Sequence, residues 1–309
     1  MTRFRSNGKL LLTGEYLVLD GAVALAIPTK LGQSMLVQPG KDGKLIWESY
    51  DHQNDRWLLV DFDLADLRIR SEEYTAKTEG GSETIAIKLQ EILRFAKKKN
   101  PEFLTTETGF LVQSFLEFRR SWGLGSSSTL VTNIALWSQT DPFNLQFESF
   151  GGSAYDIACA QSSKPIHYRL VDQKPAYLEV NFRPEFQDQL YFVFLNQKQN
   201  SREAIRNYRA LNGANQGLID RVTELTKTLT KSNSIREFEK LLAEHEALVA
   251  SVVKQEPIQK VLFSDYFGQI KSLGAWGGDF ILATGNEDTP NYFMEKGYET
   301  VISYQDMVL

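Results

Sequence analysis

Residues 121–129 read Ser-Trp-Gly-Leu-Gly-Ser-Ser-Ser-Thr, and this stretch decides how the rest of the chain is interpreted. Two glycines one residue apart allow a tight turn and leave backbone amides open to a ligand. Ser126 or Ser127 is suited to cap a following helix, because residues 130–136 place apolar side chains at helical spacing. The stretch predicts either a phosphate-binding loop at a helix start or an ordinary serine-capped loop. It is not a P-loop, since no Gly-Lys-Ser/Thr closes it.

The flanking sequence gives this loop a structural context. Residues 110–118 alternate apolar and polar side chains as a strand does, and Arg119 and Arg120 lead from them into the loop. The predicted order is therefore strand, glycine loop, helix. In that order the free amides and the positive end of the helix dipole face the same ligand.

The chain before the loop is predicted to be mainly β. Short apolar runs alternate with turn signals, and a helix starting near Ser82 ends in a lysine run at residues 97–99. The predicted strands are Lys9–Thr13, Glu15–Leu19, Val23–Ile27 ending at Pro28, Lys44–Trp47 and Trp57–Val60.

The chain after the loop changes from β to α. A strand pair is predicted at Ile166–Leu170 and Ala176–Val180, a further strand at Leu190–Leu195, and helices from Ser201 to Phe267, one of them beginning at Pro257. A glycine-rich loop at residues 271–279 then runs into an apolar strand at 280–283. The change of pattern places a domain boundary near residue 185, giving domains 1–185 and 186–309.

Composition excludes several classes of function. Within 309 residues, 34 Lys and Arg face 39 Asp and Glu, a net charge of −5, so a nucleic-acid surface is not expected. The single cysteine, Cys159, cannot form an internal disulfide, and the three histidines form no zinc pattern. The N-terminal apolar run is too short for a membrane span and lacks a cleavage site, so we expect a cytoplasmic protein whose mature start is Met1.

Three residues are candidates for chemistry, each with a simpler interpretation beside it. Lys9 begins an apolar strand, where an edge or snorkelling lysine is the commoner case. Glu15 follows a glycine and is typical of a solvated or turn-capping residue. Asp156 lies among apolar neighbours, where a carboxylate is costly unless it is paired or contacts a ligand, and helix capping is the alternative.

Three glycine-rich loops, at residues 123–128, 151–153 and 274–278, could build one pocket between two domains. Phosphoryl transfer needs amides that hold phosphate, an oxygen ligand for Mg²⁺, and a group that orients the attacking oxygen. Ser127, Glu148 and Asp156 can fill those roles, and Lys9 can neutralise charge.

At these positions the chain resembles the GHMP kinases. Three motifs occur in the family's order: SNGKLLLTGEYLVLDG at residues 6–21, GLGSSS at 123–128, and SLGAWGGDFILA at 272–283. Gly-Glu-Tyr at residues 14–16 and GGSAYDIA at 151–158 are similar to the phosphomevalonate kinase branch. The resemblance covers essentially the whole chain.

The resemblance implies an α+β fold of two domains, an N-terminal domain like ribosomal protein S5 domain 2 and a C-terminal ferredoxin-like domain, with ATP and Mg²⁺ as cofactors. Asp156 and Lys9 match the catalytic pair. The remaining implied site residues are Gly123, Leu124, Gly125, Ser126, Ser127 and Ser128 for ATP; Ser127 and Glu148 for the metal; and Glu15, Tyr16, Ser201, Arg202, Gly274, Gly277 and Gly278 for the substrate.

The chain departs from the family pattern in three places. Ser6-Asn7-Gly8 precedes Lys9 where Pro-Gly is usual, Ser153-Ala154-Tyr155 replaces Ser-Gly-Phe, and Trp276 replaces a glycine of the late loop. A tryptophan does not allow the same close backbone approach and can fill part of a pocket. These changes affect the acceptor more than the nucleotide.

The resulting hypothesis is an ATP-dependent small-molecule kinase acting on a mevalonate-type acid, with phosphomevalonate slightly ahead of mevalonate. A diphosphomevalonate decarboxylase-like enzyme and a nucleotide-binding homologue without turnover are the alternatives. No nucleic-acid or membrane partner is expected, and the protein is expected to be a monomer or homodimer.

Overall fold

A computed structural model describes residues 1–74, 83–106, 108–197, 201–211, 214–276 and 279–309 of the chain. Its strands are β1 (Thr2–Leu11), β2 (Ala24–Pro39), β3 (Lys44–Tyr50), β4 (Arg56–Asp63), β5 (Ile69–Tyr74), β6 (Phe110–Leu116), β7 (Ile166–Val171), β8 (Lys174–Glu179), β9 (Leu190–Phe194), β10 (Ile270–Ser272), β11 (Phe280–Thr284) and β12 (Val301–Ser303).

Helices occupy much of the remaining described chain. They are α1 (Glu83–Lys99), α2 (Ser126–Ser138), α3 (Pro142–Ser149), α4 (Tyr155–Gln161), α5 (Ser201–Ala210), α6 (Gln216–Lys231), α7 (Ile235–Val253), α8 (Ile258–Leu262), α9 (Thr289–Glu295) and α10 (Tyr304–Met307). The α+β class expected from the sequence is confirmed. No described helix is long and apolar enough to cross a membrane.

The chain divides into two compact units. Unit 1 contains Met1–Gly8, Leu31–Arg120 and Gly125–Gln161, and unit 2 contains Lys9–Lys30, Ser121–Leu124 and Ser162–Leu309. Both β1 and β2 run from one unit into the other along the chain. The division predicted at residue 185, with its S5-like and ferredoxin-like domain names, stays a prediction.

Unit 1 is a sheet covered by helices. Its strands follow the order β5-β4-β3-β6-β2, antiparallel except for the parallel pair β3 and β6. Alternate residues of these strands face a core that contains Trp47, Val60 and Phe62, all fully buried. Apolar side chains of α1, α2 and α3 complete the same core. The start of α2 and the segment around Asp156 are therefore held in place by the apolar core of unit 1, which includes Val131, Ala154 and Ile157.

Unit 2 contains a second, antiparallel sheet of four strands in the order β10-β11-β9-β12. The first residues of β2 pair with β7, and β7 pairs with β8. Helices α5, α6 and α7 share an apolar cluster that includes Tyr208, Val222 and Val249. That cluster also takes in Tyr16 and Trp276, two residues of the sequence motifs.

Most predicted elements are present, with two exceptions in the first motif. The predicted strand Glu15–Leu19 is wrong, because Gly14 at φ 83° and Tyr16 at φ 61° turn the chain into a short 3₁₀ helix, Leu17–Asp20. The predicted end of a strand at Pro28 is also wrong. Pro28 lies between the β2 segment that pairs with β7 and the one that pairs with β6, where its missing N–H costs no hydrogen bond to either of them.

Candidate functional site

The glycine loop leads into α2, but the helix cap is not a serine. Gly125, at φ 90°, is the N-cap residue, and no side chain caps the helix, so the predicted cap at Ser126 or Ser127 is wrong. The Ser128 hydroxyl donates to the Gly125 carbonyl at 2.8 Å and is buried, whereas Ser127 is exposed. Because no side chain occupies the cap, the first amides of α2 keep the free donors typical of a helix start.

Lys9 is held against the glycine loop. Its Nζ donates to the Gly123 carbonyl at 2.8 Å, and its backbone N–H donates to the Leu124 carbonyl at 3.0 Å. The sequence left a snorkelling edge lysine as the simpler interpretation. The structure instead fixes the ammonium group at the backbone of the loop, within unit 2.

Asp279 of the third motif packs against Gly123, the glycine whose carbonyl accepts from Lys9. A Cβ atom on Gly123 would lie 2.5 Å from Cγ of Asp279, so the Asp279 carboxyl occupies the space that a side chain would need. Asp279 itself has φ 53°, and its N–H donates to the Gln197 carbonyl at 2.7 Å. Lys9, Gly123 and Asp279 are thus gathered in unit 2. Sequence reasoning did not select Asp279, although the Gly-Gly-Asp ending of the loop was a signal for it.

Asp156 lies in the first turn of α4, which packs against α2 in unit 1. Its carboxylate accepts from the N–H of Ile157 at 3.1 Å and is partly exposed rather than buried. The preceding Ala154 is buried and has φ 59°, an unusual conformation for alanine that tends to occur at functional sites. The roles predicted for Asp156 and Lys9 stay predictions.

The other predicted residues fall in several places. Glu148 is exposed near the end of α3, and Gly274, at φ 61°, begins the late loop. Gly277, Gly278 and the side chains of Ser201 and Arg202 lie outside the described residues. Within the described part of the chain, no three His, Cys, Asp or Glu side chains form a group suited to a metal ion.

Glu15 is fully buried, which corrects the solvated or turn-capping interpretation. Its carboxylate forms an ion pair with Lys271, which is also fully buried, and its Oε2 lies 3.7 Å from His245 Nε2. Burial raises the pKa of Glu15 from 4.5 to about 7, and the nearby Lys271 limits the rise. Burial likewise holds the pKa of His245 well below 6.5.

Tyr16 and Trp276 form part of a pocket in unit 2. The backbone N–H of Trp276 donates to Tyr16 Oη at 3.3 Å, and the centroid of the Tyr16 ring lies 5.3 Å from that of the Tyr208 ring. The pocket measures about 200 Å³. Its lining residues are Tyr16, Glu203, Ala204, Asn207, Tyr208, Leu211, Val253, Gln255 and Trp276. Trp276 is 5% exposed, so the tryptophan that replaces the expected glycine is a packed wall residue.

Comparison with known proteins rests on structure. No protein-family model matches the chain, and no curated protein is similar to it in sequence. A mevalonate kinase of Methanococcus jannaschii matches at TM-score 0.70 and 14% identity, covering 97% of this chain and 96% of that one. The phosphomevalonate kinase of Streptococcus pneumoniae in complex with phosphomevalonate and AMPPNP matches at 0.69 and 15%, covering 98% and 100%.

The Lactococcus lactis galactokinase complexed with galactose matches at TM-score 0.67 and 15% identity, covering 99% of this chain and 93% of that one. The chain therefore has the fold of the GHMP kinases, and the fold implied by the sequence motifs is confirmed. Neighbours with different acceptors match about equally well, so the fold by itself does not distinguish the acceptor.

The space beside Gly123 gives a stability prediction. Gly43→Ala tests the effect of positive φ alone, because Gly43 has φ 69° and open space around its Cβ position. This control should lower the free energy of unfolding by about 1–2 kcal/mol. Gly123→Ala has a similar φ, 66°, and must also displace Asp279, so it should cost clearly more. Urea unfolding of both variants measures the difference, and equal losses would show that Asp279 moves away freely.

The buried Glu15 gives a pH prediction. Between pH 4.5 and about 7 folded Glu15 binds a proton that the unfolded chain releases, so this group's contribution to stability grows as the pH falls. His245 acts in the opposite direction below pH 6.5, because only the unfolded chain protonates it. Glu15→Gln removes the first contribution.

We therefore expect Glu15→Gln to lose more stability than the wild type when the pH falls from 7.5 to 5. The slope of the unfolding free energy against pH should differ between the two proteins by at most about 1.4 kcal/mol per pH unit. Urea unfolding at several pH values measures it. Parallel curves for the variant and the wild type would contradict the raised pKa of Glu15.

Proposed function

We propose that this chain, which has the fold of the GHMP kinases, is an ATP-dependent kinase that transfers the γ-phosphoryl group to a hydroxyl of a small molecule. The observation that carries the proposal is the placement of motif residues on that fold. Lys9 is bonded to the backbone of the glycine loop, and Asp156 is partly exposed in the first turn of a helix packed against α2. A cationic and an anionic side chain at these two positions suit phosphoryl transfer better than nucleotide binding alone.

The nucleotide side of the reaction would use the start of α2. The uncapped amides of Ser126 and Ser127 and the positive end of the helix dipole favour the phosphates of ATP. The exposed Ser127 hydroxyl is suited to the metal side of the triphosphate. Lys9 would add a positive charge near the loop backbone that stabilises the charge developing on the transferred group.

Mg²⁺ would supply charge neutralisation of the phosphates when bound. Ser127 and Glu148 are the proposed protein ligands. A hydroxyl and a carboxylate are oxygen ligands of the kind that Mg²⁺ takes, and phosphate oxygens and water commonly complete its coordination.

Asp156 would orient the acceptor hydroxyl and accept its proton. Partial exposure suits this role, because it leaves the carboxylate accessible to a substrate. The backbone N–H of Ile157 donates a hydrogen bond to Asp156 Oδ1 at 3.1 Å, which restrains that carboxylate oxygen.

A mevalonate-type acid is the first candidate acceptor, with phosphomevalonate slightly preferred. It is supported by the sequence likeness of Gly-Glu-Tyr and GGSAYDIA to the phosphomevalonate kinases, and by structural neighbours of that specificity. Tyr16, Ser201, Arg202, Gly274, Gly277 and Gly278 are the proposed acceptor contacts, as the sequence resemblance implies.

A neutral polyol or sugar is the second candidate, and the pocket of unit 2 favours it. Among its described lining residues are aromatic rings, the amides of Asn207 and Gln255, and the carboxylate of Glu203, but no Lys or Arg. An acceptor phosphate needs cationic partners, whereas hydroxyl groups pair well with amides and a carboxylate. A sugar-specific neighbour, the galactokinase, has the same fold.

A coupled ADP-release assay with mevalonate, phosphomevalonate, homoserine and galactose tests the proposal. Turnover of phosphomevalonate favours the first candidate acceptor, and turnover of galactose favours the second. Carbon dioxide release from diphosphomevalonate would instead identify a decarboxylase. ATP binding by calorimetry without ADP formation on any acceptor would identify a non-catalytic nucleotide-binding protein and remove the kinase proposal.

Asp156→Asn tests the assignment of the base. If Asp156 accepts the acceptor proton, kcat should fall at least about a hundredfold while ATP affinity changes little, because asparagine keeps the shape but does not accept the proton. Asp172→Asn, in the exposed turn between β7 and β8, is the matched control and should keep wild-type activity. An unchanged kcat in Asp156→Asn would remove Asp156 from the mechanism.

A further inference from the structure

Four buried ionisable side chains of unit 2 lie together beneath the first and third sequence motifs. Glu15, His245 and Lys271 have no exposed surface, and Glu246 is 2% exposed. Lys271 Nζ pairs with Glu15 and lies 3.8 Å from Glu246 Oε2. We call these four residues the buried ion cluster. The kinase chemistry proposed above assigns a direct role to none of the four.

His245 anchors the first motif through its backbone. The Gly14 N–H donates to His245 Nε2 at 2.9 Å, across 231 positions of sequence. Because Nε2 accepts, the neutral ring carries its proton on Nδ1, and Nδ1 is buried without a hydrogen-bond partner among the described residues. A buried donor without a partner is unfavourable, so the Gly14 contact is retained at a cost in stability.

Gly14 is a position where a side chain would not fit without a shift of its neighbours. It has φ 83°, and a Cβ atom there would lie 2.7 Å from Cβ of Ala24. Two residues later Tyr16 has φ 61°, a conformation that a residue with a large side chain keeps only when its surroundings enforce it. The His245 hydrogen bond to Gly14 and the Glu15 ion pair hold the two residues that precede Tyr16.

Glu246 anchors the third motif in the same way. Its carboxylate accepts from the Ser272 N–H at 3.1 and 3.2 Å and from the Ser272 hydroxyl at 2.8 Å. Lys271 Nζ donates to the Ser272 carbonyl at 2.7 Å as well as to Glu15. Neighbouring residues of α7 therefore hold the backbone of both motifs, and Lys271 joins the two.

The two anchored segments each end at a wall of the pocket. Tyr16 directly follows Glu15, and Trp276 follows Ser272 by four residues. The only hydrogen bond described between those two walls joins the Trp276 N–H to Tyr16 Oη at 3.3 Å, a long contact. The two walls thus share this long hydrogen bond and the apolar cluster described above, whereas the buried ion cluster holds the backbone that precedes each wall.

We propose that His245, Glu246 and Lys271 are positioning residues that fix Tyr16 and Trp276 as the walls of the ligand pocket in unit 2. They act through the backbone of Gly14 and Ser272 and through Glu15, without touching the ligand. The link to catalysis rests on the proposed kinase function, but the link to pocket geometry does not.

Fluorine NMR of protein labelled with 5-fluorotryptophan measures the wall directly, without a substrate. The chain has five tryptophans, and the Trp276→Phe variant assigns the resonance of Trp276. His245→Leu removes the acceptor of the Gly14 N–H, and we expect the Trp276 resonance to shift or broaden. The resonances of Trp47 and Trp137, which belong to unit 1, should not move.

Two further variants separate positioning from general destabilisation. His245→Gln keeps an acceptor for the Gly14 N–H and should restore a nearly wild-type Trp276 resonance. Glu244→Gln changes the adjacent residue of α7, which is half-exposed and pairs with Arg221, and should change no resonance. A folded His245→Leu protein with an unmoved Trp276 resonance, or a His245→Gln protein that shifts as much, would overturn the proposal.

If His245→Leu does not fold, Ser272→Ala provides the same test. It removes the hydroxyl bond to Glu246 and leaves the backbone N–H in place, so the Trp276 resonance should shift by a smaller amount. A folded Ser272→Ala protein whose Trp276 resonance stays at the wild-type position would overturn the proposal.

Kinetics add a second readout if the protein is an active kinase. His245→Leu should lower kcat/KM for the acceptor roughly tenfold to a hundredfold, the cost of a small misplacement, and leave KM for ATP unchanged. Equal losses toward both substrates would contradict a role confined to the pocket wall. Absence of kinase activity in the wild type would remove the proposed function and leave the NMR result standing.

Discussion

The ion pair between Glu15 and Lys271 is the interaction on which the arrangement of unit 2 depends. Both side chains are fully buried, and each charge would be very unfavourable there alone. Lys271 is a single positive charge between two carboxylates, Glu15 and Glu246. Burial is the main cause of the raised pKa of Glu15, and the second carboxylate, Glu246, adds to it in the same direction. Breaking such a buried pair by removing one partner is strongly destabilising, because it leaves an uncompensated buried charge.

Steric constraints at glycines act together with that electrostatic one. Gly14 and Gly123 both have positive φ, and at both positions a neighbouring group fills the space of a side chain. At Gly123 the neighbour is the carboxyl of Asp279, and the carbonyl of the same glycine accepts from Lys9. A single backbone position is thus in contact with residues of the first and the last motif. Glycine is required there by close approach as well as by conformation.

Much of the fold could be predicted from the sequence because its signals are local. The alternation at residues 110–118 became β6, the apolar periodicity after Gly125 became α2, and the glycine-rich segment before residue 280 led into β11. The errors occurred where one residue's backbone conformation decided the outcome. Tyr16 at φ 61° ended a predicted strand, and Gly125 took the cap position that serine statistics favour.

The sequence by itself determined the order of the elements, the glycine loop at a helix start, the two charged candidates Lys9 and Asp156, and a resemblance that the fold confirms. Tertiary structure alone decided that Glu15 is buried, that His245 accepts from Gly14, and that Asp279 lies against Gly123. The partners of Glu15 and Gly14 are 256 and 231 positions away along the chain. Helix and strand patterns repeat within a few residues, whereas a buried charge is defined by neighbours that only the folded chain brings together.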